Sequence, residues 1–126
     1  DFDFLQVKRF YQVANHNKST IRAFHGHLKE EKYVYVVSGE AMILLVPLSE
    51  TKNPDKTVKV EKFVLSEKSP SILHIPAGYA NGFKALSDNT KIIFFSTKSL
   101  NDSEQNDDYR YSYDYWGKEI WEIENR

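Results

Sequence analysis

Turn-forming residues divide the sequence into short apolar segments, and no amphipathic pattern of helix length interrupts them. About eight segments have strand-like composition, with turn signals roughly every 8 to 12 residues. Such a succession of short strands is typical of a sandwich or barrel, and most of all of a jelly roll. At 126 residues, the chain is long enough to bury one hydrophobic core. We therefore predict a single all-β jelly-roll domain over residues 1–126.

Several segments carry local predictions. Residues 2–13 are aromatic and β-branched, which predicts one or two strands. Two apolar runs within residues 33–46 flank Gly39, where we predict a hairpin turn or a bulge. Residues 57–65 alternate between apolar and charged side chains, as a half-buried strand does. The polar residues 100–108 predict a short helix or a loop.

Charge and composition exclude several classes of protein. The 17 basic and 18 acidic residues give a net charge of −1, so the chain lacks the basic surface that nucleic acid requires. Cysteine is absent, which excludes disulfide bonds and thiolate metal sites. No apolar run approaches the roughly 20 residues that span a bilayer, and no signal peptide is visible, so we expect a cytoplasmic protein with no membrane partner. Because the sequence opens at Asp1 rather than Met, we expect a short leader before it.

Two histidines stand two positions apart in a strand predicted over residues 21–27. His25 and His27 alternate with Phe24 and Gly26, so both imidazoles should face the same way. Their Cα atoms would lie about 6.5 to 7 Å apart, close enough to serve one ligand. Such a pair can transfer protons, bind a metal or simply be hydrogen-bonded inside a barrel. Burial of two titratable rings costs desolvation energy, which favours a functional role.

The same residues resemble the first metal-binding signature of the cupins. That signature contains two histidines and a glutamate, matched here by His25, His27 and Glu31. In the second cupin signature, Pro-x-Gly-x-x-His, Asn81 stands in place of the histidine. Two imidazoles and one carboxylate could still bind iron as an open facial triad. Because the cupin set is incomplete, we expect that no metal is required.

Several blocks in a fixed order resemble the dTDP-4-dehydrorhamnose 3,5-epimerase family, whose members have the cupin fold, a double-stranded β-helix. The resemblance runs over residues 21–97 and rests on RAFH (22–25), KYVYVVSGE (32–40), IPAGYANGF (75–83) and LSD (86–88). It implies an isomerase that needs no cofactor and epimerises a nucleotide-linked 4-keto-6-deoxy sugar in the synthesis of polysaccharide precursors.

The resemblance also implies roles for three residues. In the family, the histidine of the R-x-x-H motif is the general base that removes the proton next to the ketone, and its match is His25. The lysine that opens the next strand stabilises the enolate oxygen, and its match is Lys32. The arginine of the motif contacts the nucleotide phosphates, and its match is Arg22. Each residue type suits its role, since imidazole titrates near neutral pH, a fixed cation stabilises an oxyanion, and a guanidinium fork fits a pyrophosphate.

Two positions depart from the family pattern. The family's tyrosine returns a proton on the opposite face of the sugar, and it falls on Phe94, which has no proton to give. The histidine of the family's P-x-G-F-A-H-G block falls on Asn81. We expect both side chains to line the substrate site. Their presence favours single-site epimerisation, isomerisation or binding without catalysis over a full double epimerisation.

A second family that the sequence resembles is that of the sugar-nucleotide 3,4-ketoisomerases, which are small cupins with an R-G-x-H-A-H-K block. In that alternative, His25 and His27 are both catalytic and shuttle a proton between C3 and C4, with assistance from Tyr11. We further expect His74, next to the P-x-G block, to point into the same pocket. A hypothesis from a different class is a cupin that binds sugar nucleotides without catalysis. The replacement of the family's tyrosine and histidine favours this hypothesis, and the retention of the base and the lysine opposes it.

Tyrosines alternate along the C-terminal tail. On a strand, Tyr109, Tyr111, Tyr113 and Tyr115 would present four phenols on one face, as packing or as a platform for a base or sugar. We favour packing in the core or in a dimer interface. The tail and the aromatic N-terminal segment leave more apolar surface than a monomer usually exposes, so we expect a homodimer.

Overall fold

The computed structural model describes residues 3–99 and 107–123, and short strands dominate this part of the chain. Two 3-10 helices, Phe4–Gln6 and Glu119–Trp121, flank the strands. None of the described helices is long and apolar enough to cross a bilayer. In chain order, the strands are β1 Arg9–Asn15, β2 Ile21–His27, β3 Lys32–Ser38, β4 Glu40–Pro47, β5 Glu61–Ser66, β6 Ile72–Ile75, β7 Tyr79–Ala85, β8 Thr90–Ser96 and β9 Tyr109–Arg110.

Two antiparallel sheets pack face to face. The four-stranded sheet has the order β1-β8-β3-β6, and the five-stranded sheet has the order β5-β4-β7-β2-β9. Strands that are consecutive in the chain lie mostly in different sheets, because most connections cross from one sheet to the other. This is the connectivity of a jelly roll. The predicted all-β jelly roll is confirmed.

A hydrophobic core fills the space between the sheets because each strand directs alternate side chains inward. Val34 and Phe94 of the four-stranded sheet meet Ile43, Leu45 and Phe83 of the five-stranded sheet. None of these five side chains is more than 6% exposed. Burial of a side chain of this size stabilises the fold by about 1.5–3 kcal/mol.

The C-terminal segment forms an additional layer on the outer face of the five-stranded sheet. Trp116 and Trp121 pack on Phe24 there, with ring centroids 4.9 and 5.4 Å apart from it. Both indole N–H groups donate to main-chain carbonyl oxygens, at 3.0 and 2.7 Å. This layer explains why β4 is buried on both faces rather than on alternate residues.

The tail is not the continuous strand that its alternating tyrosines predict. Only Tyr109–Arg110 pairs as a strand, and a turn follows it. Tyr111 and Tyr115 pack into the outer layer, and their hydroxyls donate to main-chain oxygens at 2.7 and 2.8 Å. Tyr113 is 42% exposed. A packing role is therefore confirmed for Tyr111 and Tyr115, and the four phenols do not form one platform.

The chain turns a corner between the sheets at Gly39. The register between β3 and β8 shifts between Val36 and Ser38, which confirms a bulge, one of the two predicted alternatives. A hairpin is wrong for this position, because β3 and β4 belong to different sheets. Gly39 has a φ of 83°, and a Cβ there would lie 2.8 Å from the Thr90 hydroxyl, so the corner requires glycine.

The other local predictions have mixed outcomes. In the segment predicted over residues 2–13, the described residues 3–13 contain one strand, β1, which begins at Arg9 after the first 3-10 helix. The strand predicted over residues 57–65 is shorter than expected, since β5 begins at Glu61. In the segment predicted over residues 100–108, residues 100–106 lie outside the described part of the chain.

Candidate active site

A cavity of about 230 Å³ lies between the two sheets. This volume suits a sugar ring rather than a whole nucleotide sugar, because sites for drug-sized ligands measure about 300–1,000 Å³. Strands β1, β3 and β8 form one wall, and β2 and β7 form the opposite wall. The lining residues are Tyr11, Val13, Lys32 and Phe94 on the first wall and Arg22, His25, Asn81 and Phe83 on the second.

The cavity brings together most of the side chains that the sequence predicted for a substrate site. These are Tyr11, Arg22, His25, Lys32, Asn81 and Phe94. The two sheets place the predicted base and the predicted oxyanion-stabilising lysine on opposite walls. His27 and His74, which were also predicted, do not line the cavity.

His25 is held by its strand neighbours and by a carboxylate. Its backbone pairs with Asn81 on β7 and with Arg110 on β9. Its Nδ1 lies 3.7 Å from Oδ1 of Asp108, and the two side chains are 43% and 22% exposed. Because the carboxylate faces Nδ1, the other ring nitrogen, Nε2, is the atom available to accept a proton.

Burial has the largest effect on His25 and lowers the pKa of its imidazole. The Lys32 ammonium lowers this pKa further, since a nearby cation disfavours a second positive charge. Asp108 acts in the opposite direction and only partly offsets these effects. The imidazole is therefore mostly neutral at pH 7, which is the state that a general base needs.

Asp108 is a site residue that the sequence analysis did not find. It precedes β9, whose pairing with β2 brings the carboxylate to the imidazole of His25. In the sequence, Asp108 ends a polar segment and belongs to no recognised motif. The only available signal was the pair of acidic residues, Asp107 and Asp108, directly before a tyrosine-rich strand.

Lys32 is buried beside two stacked aromatic rings. Its Nζ donates to the Tyr11 hydroxyl at 3.1 Å, and the side chain is only 8% exposed. The rings of Tyr11 and Phe94 are nearly parallel, with centroids 5.2 Å apart and an interplanar angle of 13°. The ammonium lies 5.8 Å from the first centroid and 5.9 Å from the second. These contacts fix the cation at the cavity wall.

A buried carboxylate behind the cavity balances the charge of Lys32. Glu30 is 1% exposed. Its Oε2 lies 3.9 Å from Lys32 Nζ and 3.5 Å from Nη2 of Arg9, and it accepts a hydrogen bond from the Ser96 hydroxyl at 2.6 Å. Because buried charges are stable only when they are paired, this network holds the lysine in place.

His27 faces the interior, as predicted, but lies away from the cavity. Its Nδ1 is 2.6 Å from the main-chain oxygen of Asp107, which can only accept, so Nδ1 carries the proton. Its Nε2 is buried with no hydrogen-bond partner among the described residues. Desolvation, followed by the charge of Lys32, lowers the pKa of this imidazole. A neutral, buried His27 supports the site from behind rather than facing a ligand in the cavity.

The group formed by His27, Glu30 and Asp107 does not suit a metal ion, although its donor atoms lie within 4.8 Å of one another. The Asp107 carboxylate accepts three main-chain N–H groups of residues 28–30, at 2.7, 3.0 and 2.7 Å. Glu30 already faces the cations Arg9 and Lys32. A metal ion would have to displace these contacts next to two positive charges.

His74 lies on the outer face of the four-stranded sheet, and its predicted place in the pocket is wrong. Its Nε2 is 2.6 Å from Glu31, and the two side chains are 46% and 41% exposed. Its ring stacks on Tyr33 at 4.8 Å. The neighbouring Ile75 is buried, so the alternation of β6 turns His74 outward. Glu31 is thus directed away from His25, and the two-histidine, one-carboxylate set of the metal alternative is not assembled among these residues.

The family model for dTDP-4-dehydrorhamnose 3,5-epimerase matches residues 2–114. The chain belongs to this family. The match covers the cavity, both strands that carry the predicted base and lysine, and the Asp108 carboxylate. Phe94 and Asn81, the two departures from the family's motifs, both line the cavity.

Two relatives are consistent with this assignment, and a solved structure shares the fold. The spore coat polysaccharide biosynthesis protein SpsL of Bacillus subtilis (strain 168) is 33% identical over 95 residues, which cover 75% of this chain and 61% of that protein. The probable low-salt glycan biosynthesis epimerase Agl13 of Haloferax volcanii is 27% identical over 106 residues, covering 79% of this chain and 67% of that protein. The structure of dTDP-4-dehydrorhamnose 3,5-epimerase from Sulfolobus tokodaii superposes with a TM-score of 0.72 at 24% identity, covering 86% of this chain and 60% of that one. This chain thus spans about 61% of the length of SpsL.

Proposed function

We propose that this chain is a cofactor-free epimerase of a nucleotide-linked 4-keto-6-deoxy sugar. The observation that supports this most is the placement of a neutral imidazole, His25, and a buried ammonium, Lys32, on opposite walls of one sugar-sized cavity. The names of SpsL and Agl13 refer to polysaccharide and glycan biosynthesis, which uses such sugars as precursors. Because nucleotide sugars are made from cytoplasmic nucleotides, we also propose a cytoplasmic location.

The reaction begins when His25 removes a proton from a carbon next to the C4 ketone. The electron pair moves to the ketone oxygen, and the Lys32 ammonium stabilises the resulting enolate. The carbon inverts when a proton returns to its opposite face. The two side chains supply the base and the oxyanion stabilisation, so the proposal includes neither a cofactor nor a metal.

Arg22 and Asn81 are the proposed substrate-binding residues on the wall of His25. Arg22 is exposed while it lines the cavity, and its Nε donates to Asn15 at 3.0 Å. This hydrogen bond fixes the side chain, and its terminal N–H groups suit a phosphate outside the cavity. The Asn81 amide donates to the main-chain oxygen of His25 at 3.3 Å, which leaves its own oxygen to accept from a sugar hydroxyl.

The ketoisomerase alternative is less well supported. It needs His25 and His27 together at the substrate, whereas His27 is 4% exposed and does not line the cavity. The non-catalytic alternative predicts binding without proton exchange. Incubation with a 4-keto-6-deoxy sugar nucleotide in deuterated water tests the proposal, since only an enzyme that removes the proton incorporates deuterium beside the ketone.

The rate of deuterium exchange should fall at acidic pH. The midpoint of this fall should lie below about 6.5, the ordinary pKa of histidine. The base must be neutral, and burial and Lys32 lower the pKa of His25, so protonation switches the base off only at a lower pH. Asp108→Asn removes the carboxylate that raises this pKa. The acidic limb, which is the part of the pH profile where the exchange rate falls at low pH, should therefore move to a still lower pH. The measurement is the exchange rate as a function of pH for both proteins. An acidic limb that moves upward in the variant would contradict the proposed electrostatics.

We propose a homodimer that forms through the outer face of the four-stranded sheet. Phe10, Val37 and Ile72 are 70%, 40% and 43% exposed on this face. In contrast, residues of the C-terminal segment cover the outer face of the other sheet. Exposed apolar surface of this kind is typical of an interface between subunits.

Sedimentation at micromolar concentration should give twice the mass of one chain, and Ile72→Lys should give a monomer. A charge placed in an apolar interface is desolvated without a partner, which opposes association. Val64→Lys is the matched control, because Val64 is 58% exposed on β5 in the other sheet. A wild-type monomer, or a dimer that Ile72→Lys leaves intact, would contradict this interface.

A further inference from the structure

Inversion requires a proton donor on the wall opposite His25, and Phe94 cannot be that donor. The residues that line this wall are Tyr11, Val13, Lys32 and Phe94. Val13 and Phe94 carry no exchangeable side-chain proton. Lys32 is engaged with the enolate oxygen in the proposed reaction. Among the residues that the structure describes, the Tyr11 hydroxyl is therefore the remaining acidic group on this wall.

Tyr11 and Phe94 are direct partners across neighbouring strands. β1 and β8 pair antiparallel, with Tyr11 opposite Phe94, and both side chains face the cavity. Their rings stack with centroids 5.2 Å apart. The Tyr11 ring thus lies directly beside the position that Phe94 occupies. Loss of a phenol on β8 can be compensated by a phenol on β1.

The hydrogen bonding of Tyr11 suits a proton donor. Lys32 Nζ donates to the Tyr11 oxygen at 3.1 Å, so the phenol accepts there and its own O–H is directed elsewhere. A second cation, Arg9, lies 5.0 Å from the centroid of the Tyr11 ring. The hydrogen bond from Lys32 can persist to the phenol oxygen after the proton leaves, because it needs only the oxygen as acceptor.

We propose that Tyr11 is the catalytic acid that protonates the carbon on the face opposite His25. His25 takes the proton from the C–H bond, and the electron pair of that bond forms the enolate. When the enolate collapses, the new C–H bond forms with the proton of the Tyr11 hydroxyl, and a phenolate remains beside Lys32. The imidazolium loses its proton to solvent and the phenolate gains one, which restores both groups. This inference rests on the proposed epimerase function.

Tyr11→Phe separates proton removal from inversion. The variant keeps His25 and Lys32, so deuterium exchange beside the ketone should remain within a few-fold of the wild-type rate. Inversion should fall by at least about tenfold relative to exchange. A general acid can contribute about 10² to 10⁴-fold, but water in the cavity can deliver a proton in place of the phenol, so the expected loss is smaller. Mass spectrometry measures exchange, and NMR of the sugar measures its configuration.

The double variant Tyr11→Phe/Phe94→Tyr is the matched control. It returns one phenol to the same ring stack from the other strand, so inversion should recover towards the wild-type ratio. Inversion that is unchanged in Tyr11→Phe would overturn the inference, while the epimerase function would stand. Equal losses of exchange and inversion, without recovery in the double variant, would also overturn it, since Tyr11 would then act only through Lys32. A wild-type protein that exchanges no deuterium from any 4-keto-6-deoxy sugar nucleotide would refute the epimerase function and this inference with it.

Discussion

His25→Asn is expected to abolish deuterium incorporation into a dTDP- or GDP-linked 4-keto-6-deoxy sugar. The amide cannot accept a proton at neutral pH, so the variant loses the contribution of a general base, about 10² to 10⁴-fold in rate. The His25 side chain is 43% exposed, and the fold should tolerate the change. The rate is measured by mass spectrometry of the sugar after incubation in deuterated water.

His16→Asn is the control for this prediction, because His16 is an exposed histidine in the turn before β2 and lies outside the cavity. It should exchange deuterium at the wild-type rate. Normal exchange in His25→Asn would eliminate His25 as the base. Accumulation of a 3-keto isomer in the wild-type reaction would favour the ketoisomerase alternative and would require the same test of His27. Binding of several 4-keto sugars with no exchange would show a binding protein instead of an enzyme.

The individual strands could be predicted from the sequence because their signal is local. Alternation of side chains depends only on the strand period, and the strand predicted over residues 21–27 coincides with β2. The partner of a strand depends on distant residues. The sequence around Gly39 has the same local appearance whether the chain returns to the same sheet or crosses to the other. The hairpin was therefore one of two alternatives, and only the structure distinguishes them.

The outer layer could not be predicted for a related reason. The alternation of Tyr109, Tyr111, Tyr113 and Tyr115 is typical of a strand with one buried face. In the structure, a turn interrupts the pattern, and the tryptophans of the same segment cover β2 and β4. Packing against a sheet far away in the sequence thus overrides the local preference.

The candidate site was predictable where its motifs are local. His25 belongs to an R-x-x-H motif, and Lys32 opens the next strand, so short sequence blocks identify both. Asp108 reaches His25 only because β9 pairs with β2, a contact between distant parts of the chain. His27 lies on the predicted face, but its depth depends on the loop that contributes Asp107. The direction of His74 depends on the register of β6, which no motif specifies.

Lys32→Met is expected to slow deuterium exchange by about 10²-fold, the lower part of the range for the loss of one oxyanion-stabilising group. Methionine retains most of the packing between Tyr11 and Phe94 but removes the charge that stabilises the enolate. The variant carries a second signature, because the Lys32 ammonium lowers the pKa of His25. Its removal should raise that pKa, so the acidic limb of the pH profile should move upward, opposite to the shift expected for Asp108→Asn.

Lys68→Met is the control for the loss of a positive charge, since Lys68 is exposed in the turn after β5 and lies outside the cavity. It should change neither the exchange rate nor the acidic limb. Lys32→Met should fold, because Glu30 keeps Arg9 and the Ser96 hydroxyl as partners, although its unfolding temperature should fall as a buried charge loses one of its cations. Suppose that Lys32→Met folds and exchanges deuterium at the wild-type rate, but that its acidic limb moves upward. Lys32 would then only lower the pKa of His25, and another group would have to stabilise the enolate. A slower rate together with the upward shift would assign both roles to the same ammonium.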